Sequence, residues 1–309
     1  MKRRDQAMAV PYGRRPGAEE PFPTEARVLP AARHVGASVI ALAGEYSGLP
    51  MVAVMATFGR MPETHFDEWM AAHYETLWPE LFDPVLIETT VSFLAGLTAT
   101  GPALEFGVGT GRIAVPLSHR TRTVYGIELS PAMAARLRAR PDSSGVDVTV
   151  GDFATTSVGA SFELVYLLRN TITNLTTQDE QVRAFANAAA HLCPGGCFLI
   201  ENYVPALQRL PPGETTHVFA ATPEHLGYEQ YDVATQIATS HHYWMIDGRL
   251  TTFSSPHRYV WPSELDLMAR LAGLRLRERW SDWQRTPFGS DSRNHISVWE
   301  KALTPRHTT

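Results

Sequence analysis

The sequence predicts an α/β fold with a doubly wound, mainly parallel sheet and an antiparallel β insert, and three observations support this fold class. Between residues 99 and 204, short apolar runs alternate with helical segments, which is the order of parallel strands joined by crossover helices. Between residues 205 and 260, strand-like runs follow one another directly, and Asp247-Gly248 is a typical hairpin turn between two of them. From residue 261 to 301, one further helix and two strands complete the predicted sheet.

The same patterns divide the chain into six segments. Two amphipathic helices are predicted before the first strand, and we expect them to cap the ligand site. The antiparallel insert is expected to lie over the carboxyl ends of the parallel strands as a lid, because ligands bind at that edge of such sheets. The predicted segments are an extension at 1–60, the capping helices at 61–98, the ligand-binding core at 99–204, the lid at 205–260, the last helix and strands at 261–301, and a tail at 302–309.

The first sixty residues differ in composition from the rest of the chain. They carry clusters of arginine and proline without a sustained helical or strand period, which predicts a disordered extension. The apolar stretch 35–58 is interrupted by Glu45 and Pro50, whereas a membrane helix needs about 20 mostly apolar residues. Met61 stands just before the regular sequence, so it is left open whether residues 1–60 belong to the native protein.

Composition restricts the class of partner. A net charge of −5 provides no chain-wide basic field for nucleic acid or anionic membranes, so neither is expected as a partner. No secretory signal is recognisable, and the chain is expected to be cytoplasmic. Cys193 and Cys197 have no second cysteine or histidine pair nearby, so no metal site is predicted. The oligomeric state is left open.

The chemistry concentrates in the turn after the first predicted strand, where Gly107, Gly109 and Gly111 follow an apolar run. Glycines allow the backbone to bend sharply and to approach a ligand closely. Dinucleotide-binding turns space their glycines G-x-G-x-x-G to receive a pyrophosphate, whereas this turn has G-x-G-x-G. Glu105, two residues before the first glycine, would repel a pyrophosphate but could pair with an ammonium group. A nicotinamide-dependent oxidoreductase is therefore disfavoured.

At these residues the chain resembles motif I of the class I methyltransferases, which use S-adenosylmethionine (SAM). The resemblance implies a seven-stranded Rossmann-like sheet, with Glu105 and the three glycines around the methionine part of SAM. It also implies that Glu128, at the end of the second strand, accepts hydrogen bonds from the ribose. Asp152 would accept from the adenine amino group, and Phe153 would lie against the adenine ring.

Further positions follow from the same resemblance, which covers about residues 103–202. Each of these side chains also has a purely structural interpretation, such as a turn cap for an aspartate or a core position for an aromatic residue. The remaining residues expected to contact SAM are Leu129, Met133, Leu168, Asn170 and Tyr74.

A general base is needed only if the acceptor is a hydroxyl, a protonated amine or a carbon acid. Histidine titrates near neutrality, which favours His241 or His242, although neighbouring residues on a strand face opposite ways and at most one can point inward. The catalytic candidates are His241, His242, Glu201 and Asn170. Other polar residues expected near the acceptor are Asn174, Tyr203 and His257.

The acceptor is predicted to be a small molecule, methylated on N, O or C. The sequence RNTITNL after the fourth strand lacks the Asn-Pro-Pro-Tyr type of motif found in methyltransferases that act on nucleic acid or on protein amides. The segment 258–301 resembles small-molecule methyltransferases common in actinobacteria, which favours a role in secondary metabolism. The alternatives are a methyltransferase that acts on protein or RNA and a non-catalytic protein that binds SAM.

Overall fold

A computed structural model describes residues 66–98, 101–246 and 248–303, all within the unit Met61–Thr309. The predicted disordered extension at 1–60 and the tail beyond residue 303 lie outside the described residues. None of the helices in these ranges is long and apolar enough to cross a membrane.

Two helices precede the sheet, as the periodicity predicts. They are α1 (Glu68–Leu77), which begins where the Asp67 carboxylate accepts from the Met70 N–H at 2.8 Å, and α2 (Pro84–Ala95), which begins with a proline. Between them lies a short 3₁₀ turn, Pro79–Phe82.

Five strands of the main sheet are parallel, and the helices that connect them lie in sequence between them. The strands are β1 (Ala103–Phe106), β2 (Val124–Glu128), β3 (Val146–Val150), β4 (Phe162–Leu167) and β5 (Leu192–Tyr203). The connecting helices are α3 (Ala114–Ser118), α4 (Pro131–Ala139) and α5 (Gln178–His191). Thr177 and Glu180 form a capping box that begins α5, with Thr177 Oγ1 accepting from the Glu180 N–H at 3.2 Å.

The predicted insert is a separate antiparallel sheet whose four strands follow one another in chain order. The strands are β6 (Thr216–Ala221), β7 (His225–Asp232), β8 (Ile237–Ile246) and β9 (Arg249–Arg258). Gly248 has a φ of +71°, as the predicted hairpin between β8 and β9 requires, whereas Asp247 lies outside the described residues.

The last helix and two antiparallel strands complete the main sheet in the described part of the chain. They are α6 (Pro262–Leu271), β10 (Leu274–Trp280) and β11 (Asn294–Lys301). The strand order is β10-β11-β5-β4-β1-β2-β3, which confirms the predicted doubly wound, seven-stranded α/β fold. From β1 the chain proceeds to β2 and β3 on one side, and it then crosses to β4 on the other side of β1. Ligands bind at such a reversal, beyond the carboxyl ends of the strands.

Apolar side chains cover both faces of the sheet. All four residues of β1 are buried, with Leu104 and Phe106 in one hydrophobic cluster and Ala103 in the other. Burial on both faces explains why the central strands β1 and β4 are mostly apolar, whereas the edge strand β3 alternates between apolar and polar residues. The polar side chain of β1, Glu105, is therefore held inside this structure for a reason other than packing.

Candidate functional site

The three glycines after β1 have different structural roles. All three have a positive φ, from +57° to +79°. A Cβ at Gly111 would lie 2.2 Å from Leu137 Cδ1, and a Cβ at Gly107 would lie 2.8 Å from Thr171 Cγ2. A Cβ at Gly109 would meet no atom within 4 Å, so the middle of the turn faces open space. Gly107 and Gly111 allow close packing, and Gly109 borders the space where a ligand can approach the backbone.

Glu105 lies beside this turn in a buried environment. Its Oε2 accepts a hydrogen bond from the Tyr166 hydroxyl at 2.9 Å, and its side chain is 5% exposed. Burial raises the pKa of this carboxyl to about 8, although Tyr166 and the nearby Arg112 act in the opposite direction. No cation of the described residues is in direct contact with this buried carboxyl. It is therefore suited to bind a cationic group of a ligand.

Glu128, at the end of β2, shapes the same turn. Its Oε2 accepts from the Gly109 N–H at 2.7 Å, and its Oε1 accepts from the Ser130 N–H at 2.9 Å. Burial raises the pKa of Glu128 above its ordinary value, while these backbone hydrogen bonds lower it. Each carboxylate oxygen can accept a second hydrogen bond, so the side chain can still bind ligand hydroxyls.

The hydroxyl of Thr110, also in this turn, has no hydrogen-bond partner among the described residues. Its oxygen, Oγ1, is buried. Buried hydroxyls are normally hydrogen-bonded, so this one indicates a ligand group in the turn. Together with Glu105, Glu128 and the open space at Gly109, it fits a ligand that carries an ammonium group and several hydrogen-bonding groups.

The structure modifies the expectations for the adenine end. Asp152 follows β3 as predicted, and its Oδ1 accepts from the Ala154 N–H at 2.8 Å, which is a turn hydrogen bond. Phe153 is 7% exposed and stacks on Phe106 at 5.5 Å between ring centroids, within the core. Its position is explained by core packing, so its contact with an adenine ring remains a prediction.

Three other residues predicted to contact SAM differ in how far they are buried. Leu129 is 46% exposed beside Glu128, whereas Met133 on α4 is buried. Leu168 is buried in the core cluster that also holds Tyr166. The cofactor contacts of these three residues remain predictions.

A cavity of about 290 Å³ lies beyond the carboxyl end of β4. The lid strands, including Phe219 on β6, form one wall, and aromatic residues from α1 and its end form another. Tyr74 lines it and packs on Trp78 at 5.2 Å between ring centroids. The polar and aromatic lining residues include Tyr74, Trp78, Asn170, Asn174, Tyr203, Phe219, Glu229, Ser240, His242 and His257.

An adjoining cavity of about 680 Å³ shares part of its lining with the first. Glu229 lines both cavities, and its carboxylate accepts from the Tyr231 hydroxyl at 2.5 Å and from the Ser240 hydroxyl at 3.2 Å. The Tyr203 hydroxyl, also on the shared wall, is buried without a hydrogen-bond partner in the described part of the chain. Five residues line both cavities: Arg169, Asn170, Tyr203, Phe219 and Glu229.

The four catalytic candidates fall into two groups. His242 and Asn170 line the cavity, and Asn170 adopts a left-handed conformation that lets its Oδ1 accept from the Tyr203 N–H at 2.8 Å. Glu201 lines neither cavity, because its two oxygens accept from the Arg169 N–H and the Trp283 indole. Glu201 therefore supports the loop after β4, and a catalytic role for it remains a prediction.

His241 is placed differently from its neighbour His242. Strand alternation turns His241 to the opposite face of the lid, where its ring stacks on Tyr228 at 4.7 Å and its Nδ1 lies 2.8 Å from Ser254 Oγ. Of the two histidines, His242 lines the smaller cavity and His241 lines neither cavity, and a catalytic role for either remains a prediction.

Sequence reasoning missed Glu229 and His225. Both lie on β7 and share a face with His242 only because Gly227 pairs with His242 in the register of β7 and β8. Period-2 alternation marks their common face within β7, but the strand that pairs with β7, and its register, are set by the folded insert.

Comparison with known proteins identifies the family to which this chain belongs. A family described as "Methyltransferase domain" matches residues 103–196. The CcbJ methyltransferase from Streptomyces caelestis is similar over 79% of this chain and 100% of its own, with 35% identity and a TM-score of 0.70. Two similar solved structures contain bound SAM, at 22% and 16% identity, and they bear on the fold alone.

Two curated relatives carry names that describe an acceptor. The cypemycin N-terminal methyltransferase of a Streptomyces species is 25% identical over 205 residues, which is 64% of this chain and 82% of that protein. A dTDP-4-amino-2,3,4,6-tetradeoxy-D-glucose N,N-dimethyltransferase from Saccharopolyspora spinosa is 32% identical over 101 residues, 32% of this chain and 39% of that protein.

Proposed function

This chain belongs to the class I SAM-dependent methyltransferases, and from that premise we propose that it methylates the amino nitrogen of a small molecule. SAM supplies an electrophilic methyl group when it is bound. The protein has to hold the acceptor in line with that group, exclude water and remove a proton.

The cofactor residues follow from the buried polar groups around the glycine turn. We assign the ammonium of SAM to Glu105, whose carboxyl contacts no cation of the described residues directly, and a further polar group of SAM to the Thr110 hydroxyl. Glu128 holds the turn through the Gly109 N–H and has acceptor capacity left for the ribose. We assign Asp152, which follows β3, as the acceptor of a hydrogen bond from the adenine amino group.

The observation that carries the choice of nitrogen is the Glu229 carboxylate in the acceptor cavity. Two hydroxyls, from Tyr231 and Ser240, hold it in place, and Trp78 and Phe219 contribute aromatic walls to the same cavity. A carboxylate beside aromatic faces attracts an ammonium group through charge and cation–π interactions. One curated relative is named an N,N-dimethyltransferase of an amino sugar nucleotide and the other an N-terminal methyltransferase, and the first of these names agrees with this choice.

The two cavities also favour a small molecule over the alternative of a protein or RNA acceptor. Ligand sites for small molecules have volumes of about 300–1,000 Å³, and the smaller cavity is close to the lower limit. The larger cavity, lined by Arg209, Arg293 and Asp291, provides room for the polar remainder of the acceptor.

Within the cavity, His242 is the candidate base. An aliphatic amine is protonated near neutral pH and must lose a proton before its lone pair can attack. The Nε2 of His242 has no hydrogen-bond partner among the residues that the structure describes, and its ring lines the cavity.

The assignment can be tested with paired acceptors. The native protein is incubated with methyl-labelled SAM and with small amines, each matched to the alcohol of the same carbon skeleton. We expect label in the amines and none in the alcohols. Transfer to alcohols but not to amines would contradict the choice of nitrogen.

Glu229→Gln tests the anchor itself, because the amide keeps the shape and removes the charge. Hydrogen bonds to charged groups contribute about 1.5–3 kcal/mol, so KM for the amine should rise about 10–100-fold while the Kd for SAM stays unchanged. The control is Gln230→Ala, the next residue, whose side chain is exposed on the other face of β7. An unchanged KM in Glu229→Gln would remove Glu229 from the acceptor site.

A further inference from the structure

His242 is joined to a second histidine that leads away from the cavity. His242 Nδ1 and His225 Nε2 lie 3.0 Å apart, and the planes of the two rings are within 6° of parallel. His242 is 9% exposed, whereas His225 is only partly buried. The outward nitrogen of the pair, His225 Nδ1, has no hydrogen bond within the described ranges. The pair thus extends from the cavity towards the exterior.

Aromatic side chains hold the two imidazoles in this arrangement. Both rings stack on the Trp244 indole, His242 at 4.7 Å and His225 at 5.1 Å between centroids. Phe219 lies against His242 at 5.2 Å and occupies the space above Gly227, where a Cβ would be 2.3 Å from its ring. Trp78 meets His242 edge-on at 6.4 Å. Two parallel imidazoles that are joined nitrogen to nitrogen and held by aromatic rings are suitably arranged for proton transfer.

We propose that His242 and His225 form a proton relay that carries the proton of the acceptor ammonium out of the cavity to solvent. The relay deepens the amine methylation proposed above and rests on it. His242 contacts the substrate and is the catalytic residue, whereas His225 acts through His242 and is a positioning residue.

The proton balance follows from the geometry. His242 begins with its proton on Nδ1, donated to the lone pair of His225 Nε2, so that its own Nε2 lone pair faces the cavity. The N–H bond of the ammonium breaks and a bond to His242 Nε2 forms, while the Nδ1 proton moves to His225 Nε2 and the proton on His225 Nδ1 passes to water. One proton enters and one leaves, so both rings end neutral, as the opposite tautomers. After product release, exchange with water restores the first tautomers.

Electrostatics favour a relay over a single base. Burial, and the neighbouring His225, His257 and His241, lower the pKa of His242 to about 4, so an isolated His242 would hold an extra proton poorly. The transfer of the Nδ1 proton in the same step avoids a buried imidazolium. Burial also lowers the pKa of His225, while the carboxylate of Glu80 acts in the opposite direction at this outer end.

The test uses His225→Ala and His225→Gln in the full chain, with methylation of an amine accepted by the native protein. We expect kcat near pH 7 to fall at least tenfold with KM and the Kd for SAM unchanged, because proton removal by a positioned base contributes about 10²–10⁴-fold. Imidazole in the buffer should restore much of kcat in His225→Ala, since the outer position is accessible. The deficit should shrink as the pH approaches the pKa of the amine. The control is His119→Ala, an exposed histidine after α3.

Three results would overturn the relay. One is full kcat in both variants, and another is a loss of kcat that is the same at every pH and is not relieved by imidazole, which would indicate a structural role. His225→Gln addresses folding, because its side-chain amide oxygen can still accept from the Nδ1–H of His242 but cannot pass on a proton. If the native protein methylates no amine, the proposed function itself fails and the relay with it.

Discussion

At the scale of single residues, the buried carboxyl of Glu105 has a consequence for stability that can be measured. Its pKa in the folded protein is about 8, whereas an unfolded glutamate titrates near 4.5. Between these values the folded state binds more protons than the unfolded state, so the free energy of unfolding falls as the pH rises. From pH 5 to pH 7.5 this amounts to about 3 kcal/mol for the ligand-free protein.

We expect Glu105→Gln to remove most of that pH dependence. The amide cannot ionise, and the Tyr166 hydroxyl can still donate to its carbonyl oxygen. Urea unfolding of both proteins at pH 5 and pH 7.5, without SAM, gives the two slopes. The buried Glu128 acts in the same direction, so some dependence will remain in the variant. Equal slopes in both proteins would show that Glu105 titrates normally.

A second prediction at this scale concerns Glu128→Ala. SAM affinity should fall about 10–100-fold, from the loss of charge-assisted hydrogen bonds to the ribose, while kcat at saturating SAM should change less. Because Glu128 also accepts from the N–H groups of Gly109 and Ser130, the variant should lose thermal stability as well. Calorimetric titration with SAM and thermal unfolding separate the two effects. A lower melting temperature with an unchanged Kd would leave Glu128 with a structural role alone.

At the scale of elements, the turn between β1 and α3 can be tested with a matched pair of glycines. Gly109 and Gly159 both have a left-handed backbone, with φ of +57° and +66°, and both face open space. An alanine at either position should cost about 1 kcal/mol of backbone strain. Only Gly109→Ala should also weaken SAM binding, by at least tenfold, because its methyl group enters the proposed cofactor space.

Gly109→Ala and Gly159→Ala are compared by SAM titration after each is shown to be folded. The Gly159 variant gives the effect of strain alone. Equal SAM affinities in the two variants would mean that the space at Gly109 is not occupied by the cofactor. Gly107 is a less direct test, since a side chain there would first collide with Thr171.

At the scale of the whole molecule, the site groups named above lie between residues 66 and 303, on the unit Met61–Thr309. A chain that begins at Met61 should therefore fold and bind SAM with the same Kd as the full chain, as the aperiodic composition of residues 1–60 also indicates. Thermal unfolding and SAM titration of the two chains provide the comparison. A loss of affinity on truncation would place part of the site in residues 1–60.

The sequence by itself determined the fold class and the position of the glycine turn to which we assign the cofactor. Both depend on short-range features that a linear pattern records, namely the period of apolar residues and the conformational demands of a glycine turn. Glu105, Gly107 and Gly109 lie within five residues of one another, so their proximity follows from chain connectivity. Glu128 is predictable for a similar reason, because it ends a parallel strand paired directly with β1.

Only the tertiary structure showed which residues line the proposed acceptor cavity. Trp78, Asn170, Glu229 and His242 come from a helix end, a loop and two lid strands, and the packing of the lid against the main sheet brings them together. Strand register turned His242 inward and His241 outward, and hydrogen bonds to a backbone amide and an indole drew Glu201 away from the cavity. Such contacts join residues distant in sequence, and no local pattern encodes which of them meet.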